Sequence, residues 1–183
     1  MRSPSKRKKC ITLAVACTTL AACAPSDNAL LQLAQQGKTQ PQAPVQASSS
    51  IVIQAPAHHV WITLTDLQQW PRWNHDVQQV ELAAPIQVGT SFTWTTGDTT
   101  IQSQLALLNT DQAVAWIGHA SAAKAIHVIT FQAIDASHTR VTSTESMDGP
   151  LLSLFYSSKE LQESEDRLLK NLKAAAENTA THG

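Results

Sequence analysis

Past residue 23 the sequence has no cysteine, because Cys10, Cys17 and Cys23 are the only three in the chain. The body of the protein therefore offers neither a disulfide nor a thiolate metal site. There is no Gly-x-Ser-x-Gly elbow, no His-Glu-x-x-His and no glycine-rich phosphate loop, so the familiar hydrolase, zinc-protease and nucleotide signatures are missing. No apolar run approaches the about 20 residues that a spanning helix needs, and charged residues make up only 15% of 183. Collagen, coiled coil, polyelectrolyte disorder and a polytopic membrane protein are all excluded. Basic charge is scarce where a domain would need it. Of 13 Lys and Arg, five (Arg2, Lys6, Arg7, Lys8, Lys9) fall in the first nine residues, leaving 8 against 14 acidic groups, a formal charge of −6. That remainder has no electrostatic footprint for nucleic acid or for an anionic membrane surface.

What is present begins with that basic cluster, followed by Ile11 to Ala22, twelve apolar or small residues. A positive start, a short apolar stretch and small residues at its exit predict a secretory signal over 1–22. Leu20-Ala21-Ala22-Cys23 resembles the bacterial lipobox, which implies acylation of Cys23. Each buried CH₂ of an acyl chain contributes about 0.8 kcal/mol, so two or more chains hold a protein on a bilayer. Ala24 after the cysteine, rather than Asp, points to an exported protein anchored in the outer membrane and facing the periplasm. Residues 24–50, rich in Ala, Gln, Ser and Pro, read as a flexible tether with at most a transient helical turn at Ala29 to Gln36. Such a tether would span roughly 30 Å.

The domain is expected over 51–178, with a disordered tail at 179–183. Ile51-Val52-Ile53 reads as a strand, and Ala55-Pro56 opens a helix in which Ala57, Val60, Trp61 and Leu64 share a face. Trp70-Pro71 bends the chain. Six alternating segments follow: Val77 to Leu82, Ser91 to Thr95, Thr100 to Leu108, Ala113 to Gly118, Ala125 to Ile134 and Thr139 to Met147. Their short spacing predicts an antiparallel meander. From Pro150 to Glu177 the period becomes helical, with Leu151, Leu154, Phe155, Leu161, Leu168, Leu172 and Ala175 as one stripe. Glu163/Arg167 and Asp166/Lys170 are candidate ion pairs on its wet side. The fold class is α+β, a curved antiparallel sheet of six to seven strands whose apolar face needs the last helix as its cover.

These residues resemble a known family. Ile51-x-Ile53, Ala55-Pro56, Val60-Trp61 and Trp70-Pro71-x-Trp73-Asn74 are similar to the opening of the polyketide cyclase/dehydrase group of the SRPBCC (START/Bet v 1-like) superfamily. The likeness continues through Gly89-x-x-Phe92-x-Trp94, Ile101-x-Ser103, Ala115-Trp116-x-Gly118, His127-x-x-x-Phe131, Thr139-Arg140-Val141, Glu145 and Gly149. It implies a helix-grip fold with a deep apolar cavity between sheet and C-terminal helix. Two departures are a lipobox, unusual for such cyclases, and Ala120, Ala122 and Ala123 where the turn after Gly118 usually has glycines.

Alternation then sorts the faces. A loop over Ala120 to Ala123 sets Trp116 opposite His127 and Val114 opposite Ile129. A loop over Asp135 to Ser137 sets Phe131 opposite Val141, Ile129 opposite Ser143 and His127 opposite Glu145. Trp116, His127 and Glu145 thus form a row across three strands of the inner face, while Thr130, Gln132, Arg140, Thr142 and Thr144 face water. Phe92, Trp94, Ile101, Ser103 and Leu105 join from earlier strands, and Phe155 from the helix. The candidate ligand-lining set is Phe92, Trp94, Ile101, Ser103, Leu105, Val114, Trp116, His127, Ile129, Phe131, Val141, Glu145 and Phe155. His127 and Glu145 are candidate acid–base groups for cyclisation or dehydration, or simply a structural pair beneath the helix. Trp61, Trp70 and Trp73 are expected in packing. His58-His59 and His75-Asp76 are poorly disposed for one metal, and neither metal nor cofactor is expected. The partner expected is a small hydrophobic molecule.

Overall fold

A computed structural model describes residues 26–121 and 123–180. The signal segment, Cys23 and residues 181–183 lie outside the described residues. Helix α1 (Asp27–Gln35) precedes strand β1 (Val45–Ile53), helix α2 (Ala57–Thr65), a single 3-10 turn (Leu67–Gln69) and the short helix α3 (Trp70–Trp73). Six strands follow in a meander: β2 (Gln79–Leu82), β3 (Ser91–Thr96), β4 (Thr99–Asn109), β5 (Ala113–Ala120), β6 (Ala123–Ala133) and β7 (Thr139–Asp148). The one-turn helix α4 (Leu152–Phe155) and the long helix α5 (Ser158–Ala180) complete the chain. The seven strands form one curved antiparallel sheet ordered β1-β7-β6-β5-β4-β3-β2, so β1 closes onto β7 and the sheet grips α5. This is the helix-grip fold.

The pairings follow from alternation. Trp116 lies opposite His127, His127 opposite Glu145 and Phe131 opposite Val141. The inner face buries Ile53, Phe92, Leu105, Val114, Ile129 and Val141 against Val60 and Leu64 of α2, Trp70 of α3, and Leu169, Leu172 and Ala176 of α5. Trp70 is central, meeting Phe92 and Trp94 edge-on at 5.9 and 5.8 Å between ring centroids. Its indole N–H donates to the Leu64 carbonyl at 2.7 Å. Asn74, which closes the Trp-Pro-x-Trp-Asn motif, is buried and accepts from the Asn171 side chain at 3.2 Å, fastening the bend to α5.

Three expectations need correction. Residues 27–50 are not a loose tether. Ser26 caps α1, which lays Leu30 and Ala34 on Ala106, Ala115, Ile117, Ile126 and Val128 of the convex face. Residues 45–50 belong to a nine-residue ladder with β7 that buries Val45 and Ala47. Backbone pairing and two well-placed small apolar contacts do what composition suggested the segment could not.

Second, the C-terminal helix is not continuous from Pro150. Leu151 takes a left-handed backbone (φ 62), Tyr156 is extended, and α5 starts anew after Ser157. Ser157 and Glu160 form a capping box: the Ser157 Oγ accepts from the Glu160 N–H at 3.2 Å, and the Glu160 carboxylate accepts from the Ser157 N–H at 2.8 Å. The buried stripe is consequently Leu161, Glu165, Leu169, Leu172 and Ala176, whereas Leu151, Leu154 and Phe155 are exposed. The start of the expected tail, through Ala180, is helical.

Third, the expected Glu163/Arg167 pair is not made, Glu163 lying 3.8 Å from Lys159 instead, while the Lys170 charge still acts on Asp166 as expected. Arg167 reaches Asp76 at 2.9 Å and Asp166 accepts from Ser49.

Candidate functional site

Two neighbouring rows of the inner face set up the site. One runs Leu105–Trp116–His127–Glu145–Ala47 across β4, β5, β6, β7 and β1, and its large members fill the grip. The next runs Ser103–Gly118–Ala125–Met147, and beyond it Ala120 faces Ala123. Here the side chains shrink, and a cavity of about 540 Å³ opens between the sheet, α4 and the first turns of α5. Gly118 is part of the reason: a Cβ there would meet Ile101 Cγ2 at 3.3 Å and Ser103 Oγ at 3.5 Å.

Among the sequence candidates, Trp94, Ile101, Trp116, Glu145 and Phe155 line this cavity, Phe155 from the exposed rim. Phe92, Leu105, Val114, Ile129, Phe131 and Val141 lie instead in the packed core, on the correct face but at the filled end. Ser103 is buried and accepts from the Trp94 indole N–H at 3.1 Å. His127 sits behind the wall rather than on it. Sequence reasoning missed the small residues Gly118, Ala120, Ala123 and Ala125, and Tyr156 and Arg167 at the mouth. It also missed Glu165, although that residue lies four positions from both Leu161 and Leu169, on the apolar stripe where a carboxylate stands out.

The Polyketide cyclase / dehydrase and lipid transport family matches residues 44–177. The chain belongs to that family. Among solved structures, it is similar to a hypothetical protein of Helicobacter pylori at 16% identity and a TM-score of 0.66, covering 74% of this chain and 90% of that one. A START superfamily protein from Mycobacterium smegmatis gives 12% identity, 0.60, and 75% and 97% coverage. The Zhui aromatase/cyclase of Streptomyces sp. R1128 gives 16%, 0.54, and 73% and 88%. At such identities the likeness is one of fold. No curated protein matches the chain.

In this member of the polyketide cyclase/dehydrase family, the cavity wall is backed by a buried ionic cluster. The His127 Nε2 lies 2.6 Å from Ser143 Oγ and 3.2 Å from Glu165, and its Nδ1 faces Glu145 at 3.8 Å. The Ser143 hydroxyl donates to Glu165. Glu165, on α5, is 2% exposed. Burial by itself would lower the pKa of His127, but Glu165 and Glu145 outweigh it and hold the imidazole at about 9. The ring also lies against Trp116, tilted by 40° with centroids 4.5 Å apart, a proximity that favours the cation. Burial would raise Glu165, yet His127 and hydrogen bonds from its neighbours bring it down to about 2. For Glu145, burial dominates; with the Glu165 charge beside it, it outweighs the pull of His127 and lifts the carboxyl to about 8. At neutral pH the cluster is therefore imidazolium, carboxylate and neutral acid, formally uncharged, as a buried site requires.

This fixes what the groups can do. A general base must be unprotonated, and the imidazolium form of His127 that Glu165 and Glu145 favour has no free lone pair to take up a proton. Glu145 touches the cavity with its side chain 16% exposed, while its acid proton is donated to the Glu165 carboxylate behind the wall. His127, Glu145 and Glu165 also bring potential ligand atoms within 4.8 Å of one another. The carboxylates, however, flank opposite nitrogens of one ring, and an ion would have to displace the hydrogen bonds that already satisfy them. His58 and Asp76 are separately engaged, with Asp111 at 2.8 Å and Arg167 at 2.9 Å.

Proposed function

We propose that this protein is an envelope-anchored module that binds or carries a small hydrophobic molecule (a lipid, isoprenoid or polyketide-like compound) between its sheet and α5. The observation that carries the reading is the hollow at the small-residue end of the grip, walled by Trp94, Ile101 and Trp116 and holding one neutral acid, Glu145. About 540 Å³ falls in the range of small-molecule sites, which are mostly apolar with a few placed polar groups. Burying a ten-carbon chain contributes about 8 kcal/mol gross, against several kcal/mol of association cost. That balance suits carriage rather than storage. Native mass spectrometry of protein purified from its own host, followed by solvent extraction, is expected to reveal an apolar ligand. A clean apo spectrum that added lipids and isoprenoids leave unchanged would overturn the reading. The anchor is acylated Cys23, and Cys23→Ser is expected to move the protein from the membrane fraction to the soluble periplasm.

A second reading is favoured by the same Glu145: a cyclase or dehydratase in which it protonates a leaving hydroxyl or a carbonyl, with His127 and Glu165 keeping it poised. Glu145→Gln then abolishes turnover of a polyketide-like substrate while fold and ligand uptake survive. Unchanged turnover in that variant removes Glu145 as the acid, and absence of turnover by the unaltered protein removes the enzymatic reading and leaves the carrier.

A further inference from the structure

Leu151, Leu154 and Phe155 are 65%, 71% and 80% exposed, three large apolar side chains crowded around one turn of helix. Other exposed apolar residues, such as Ile62, Val88 and Ile134, are scattered through the sequence, which is ordinary for a protein surface; a cluster is not. The cluster borders the cavity, whose lining takes Leu152, Phe155 and Tyr156 from this segment and Ala120, Ser121 and Ala123 from the β5–β6 turn, and the 80% exposure of Phe155 puts the opening on this side.

The described chain begins at this same end. Asp27, the first residue of α1, accepts from Lys124 at 2.6 Å, and Lys124 follows directly on Ala123 of the mouth. Cys23 stands three residues before Ser26, so at most about 10 Å of extended chain separates it from the helix cap. Because α1 is docked on the convex face, the Ser26 cap is fixed at this end, and the chain length from it limits the reach of any group carried by Cys23.

We propose that the mouth end of the domain lies against a lipid bilayer, with Leu154 and Phe155 in its apolar layer and the cavity opening toward it. The proposal rests on anchoring at Cys23. Contact is apolar, since the acidic body of the chain offers no pull toward anionic headgroups. A ligand can then pass between bilayer and cavity without crossing water.

The test uses the acylated full-length mature protein in phosphatidylcholine vesicles, with an environment-sensitive fluorophore on Leu154→Cys or, separately, Ile134→Cys. Ile134 follows the far end of the 11-residue β6, about 35 Å from the mouth by strand length. The expected result is a blue shift at 154, with at least fivefold quenching by lipid-borne nitroxides, and no change at 134. A label at 154 that stays in water while the protein floats with the vesicles overturns the orientation but leaves the anchor intact. A dry label that nitroxide lipids do not quench, with doubled mass, assigns the cluster to a second copy of the chain and also overturns it. Failure of the unlabelled protein to float at all refutes the anchor, and the orientation falls with it.

Discussion

The two ends of the grip are built on the same strands with the same alternation, yet one is solid and the other hollow. From Trp116 and His127 toward Val114 and Phe131 every inward position of β5 and β6 is filled, and Trp70 knits Phe92, Trp94 and Trp116 into one aromatic contact. From Gly118 and Ala125 outward the inward positions are glycine or alanine, and space replaces side chain. The cavity thus arises from side-chain size along the continuous β5–β6 ladder, while the β4–β5 pairing carries a bulge between Leu105 and Leu107 at the solid end. The ionic cluster sits at the boundary, where Glu145 can face the hollow while His127 and Glu165 stay within the packed half.

This contrast can be broken from either side. The largest effect is expected at the solid end: Trp70→Ala removes the aromatic hub and should cost about 3–5 kcal/mol in urea denaturation. A loss below 1 kcal/mol would mean that this end is not the stability centre. Glu165→Ala comes next, removing the nearer carboxylate of His127 and the acceptor of the Ser143 hydroxyl in the interior, for about 3–5 kcal/mol. Glu145→Ala should be milder, because it deletes a neutral group at the cavity wall.

The cluster also gives stability a pH signature. His127, raised to about 9 from 6.5, contributes fully below pH 6.5 and loses that contribution as pH rises toward 9. Glu145, raised to about 8 from 4.5, adds a second decline between those values, because the folded state must give up a proton it prefers to keep. Glu165, lowered to about 2 from 4.5, acts oppositely, and its contribution is lost only as pH falls below 4.5. Stability from the cluster should peak near pH 4.5 to 5 and fall most steeply between 6.5 and 8. Glu145→Gln should flatten that slope in urea titrations at stepped pH, and an unchanged slope would show that the decline originates elsewhere.

At the hollow end, Gly118→Val is expected to cost only about 1–3 kcal/mol, yet to reduce uptake of a fluorescent fatty-acid probe at least tenfold, since its side chain would project toward Ile101 and Ser103. Retained uptake would place the binding space elsewhere. The smallest effect is expected at the break between α4 and α5: Ser157→Ala removes a helix cap worth about 1 kcal/mol and should leave probe uptake unchanged.

Much of the fold is legible in the sequence. Turn residues at Asp135 to Ser137 and around Ser121 set the pairings of β5, β6 and β7, because strand periodicity allows only one register that keeps Val114, Trp116, Ile129 and Phe131 on a common face. The helix break was legible too, in the Ser157…Glu160 capping box, but the apolar stripe drawn through Leu154 and Phe155 masked it. The docking of α1 was harder to read, since Leu30 and Ala34 gain burial only from a convex face assembled by three distant strands.

The sequence by itself determined the meander order of β2 to β7, the inward and outward faces and the row Trp116–His127–Glu145, because local turn chemistry and a two-residue period suffice for them. Only the tertiary structure decided that Glu165 completes the cluster, that the hollow lies beyond Gly118, and that α1 brings the start of the domain to the cavity mouth. Each of those depends on how far α5 and α1 stand from the sheet, a distance set by side-chain volumes meeting across the fold rather than by any pattern along the chain.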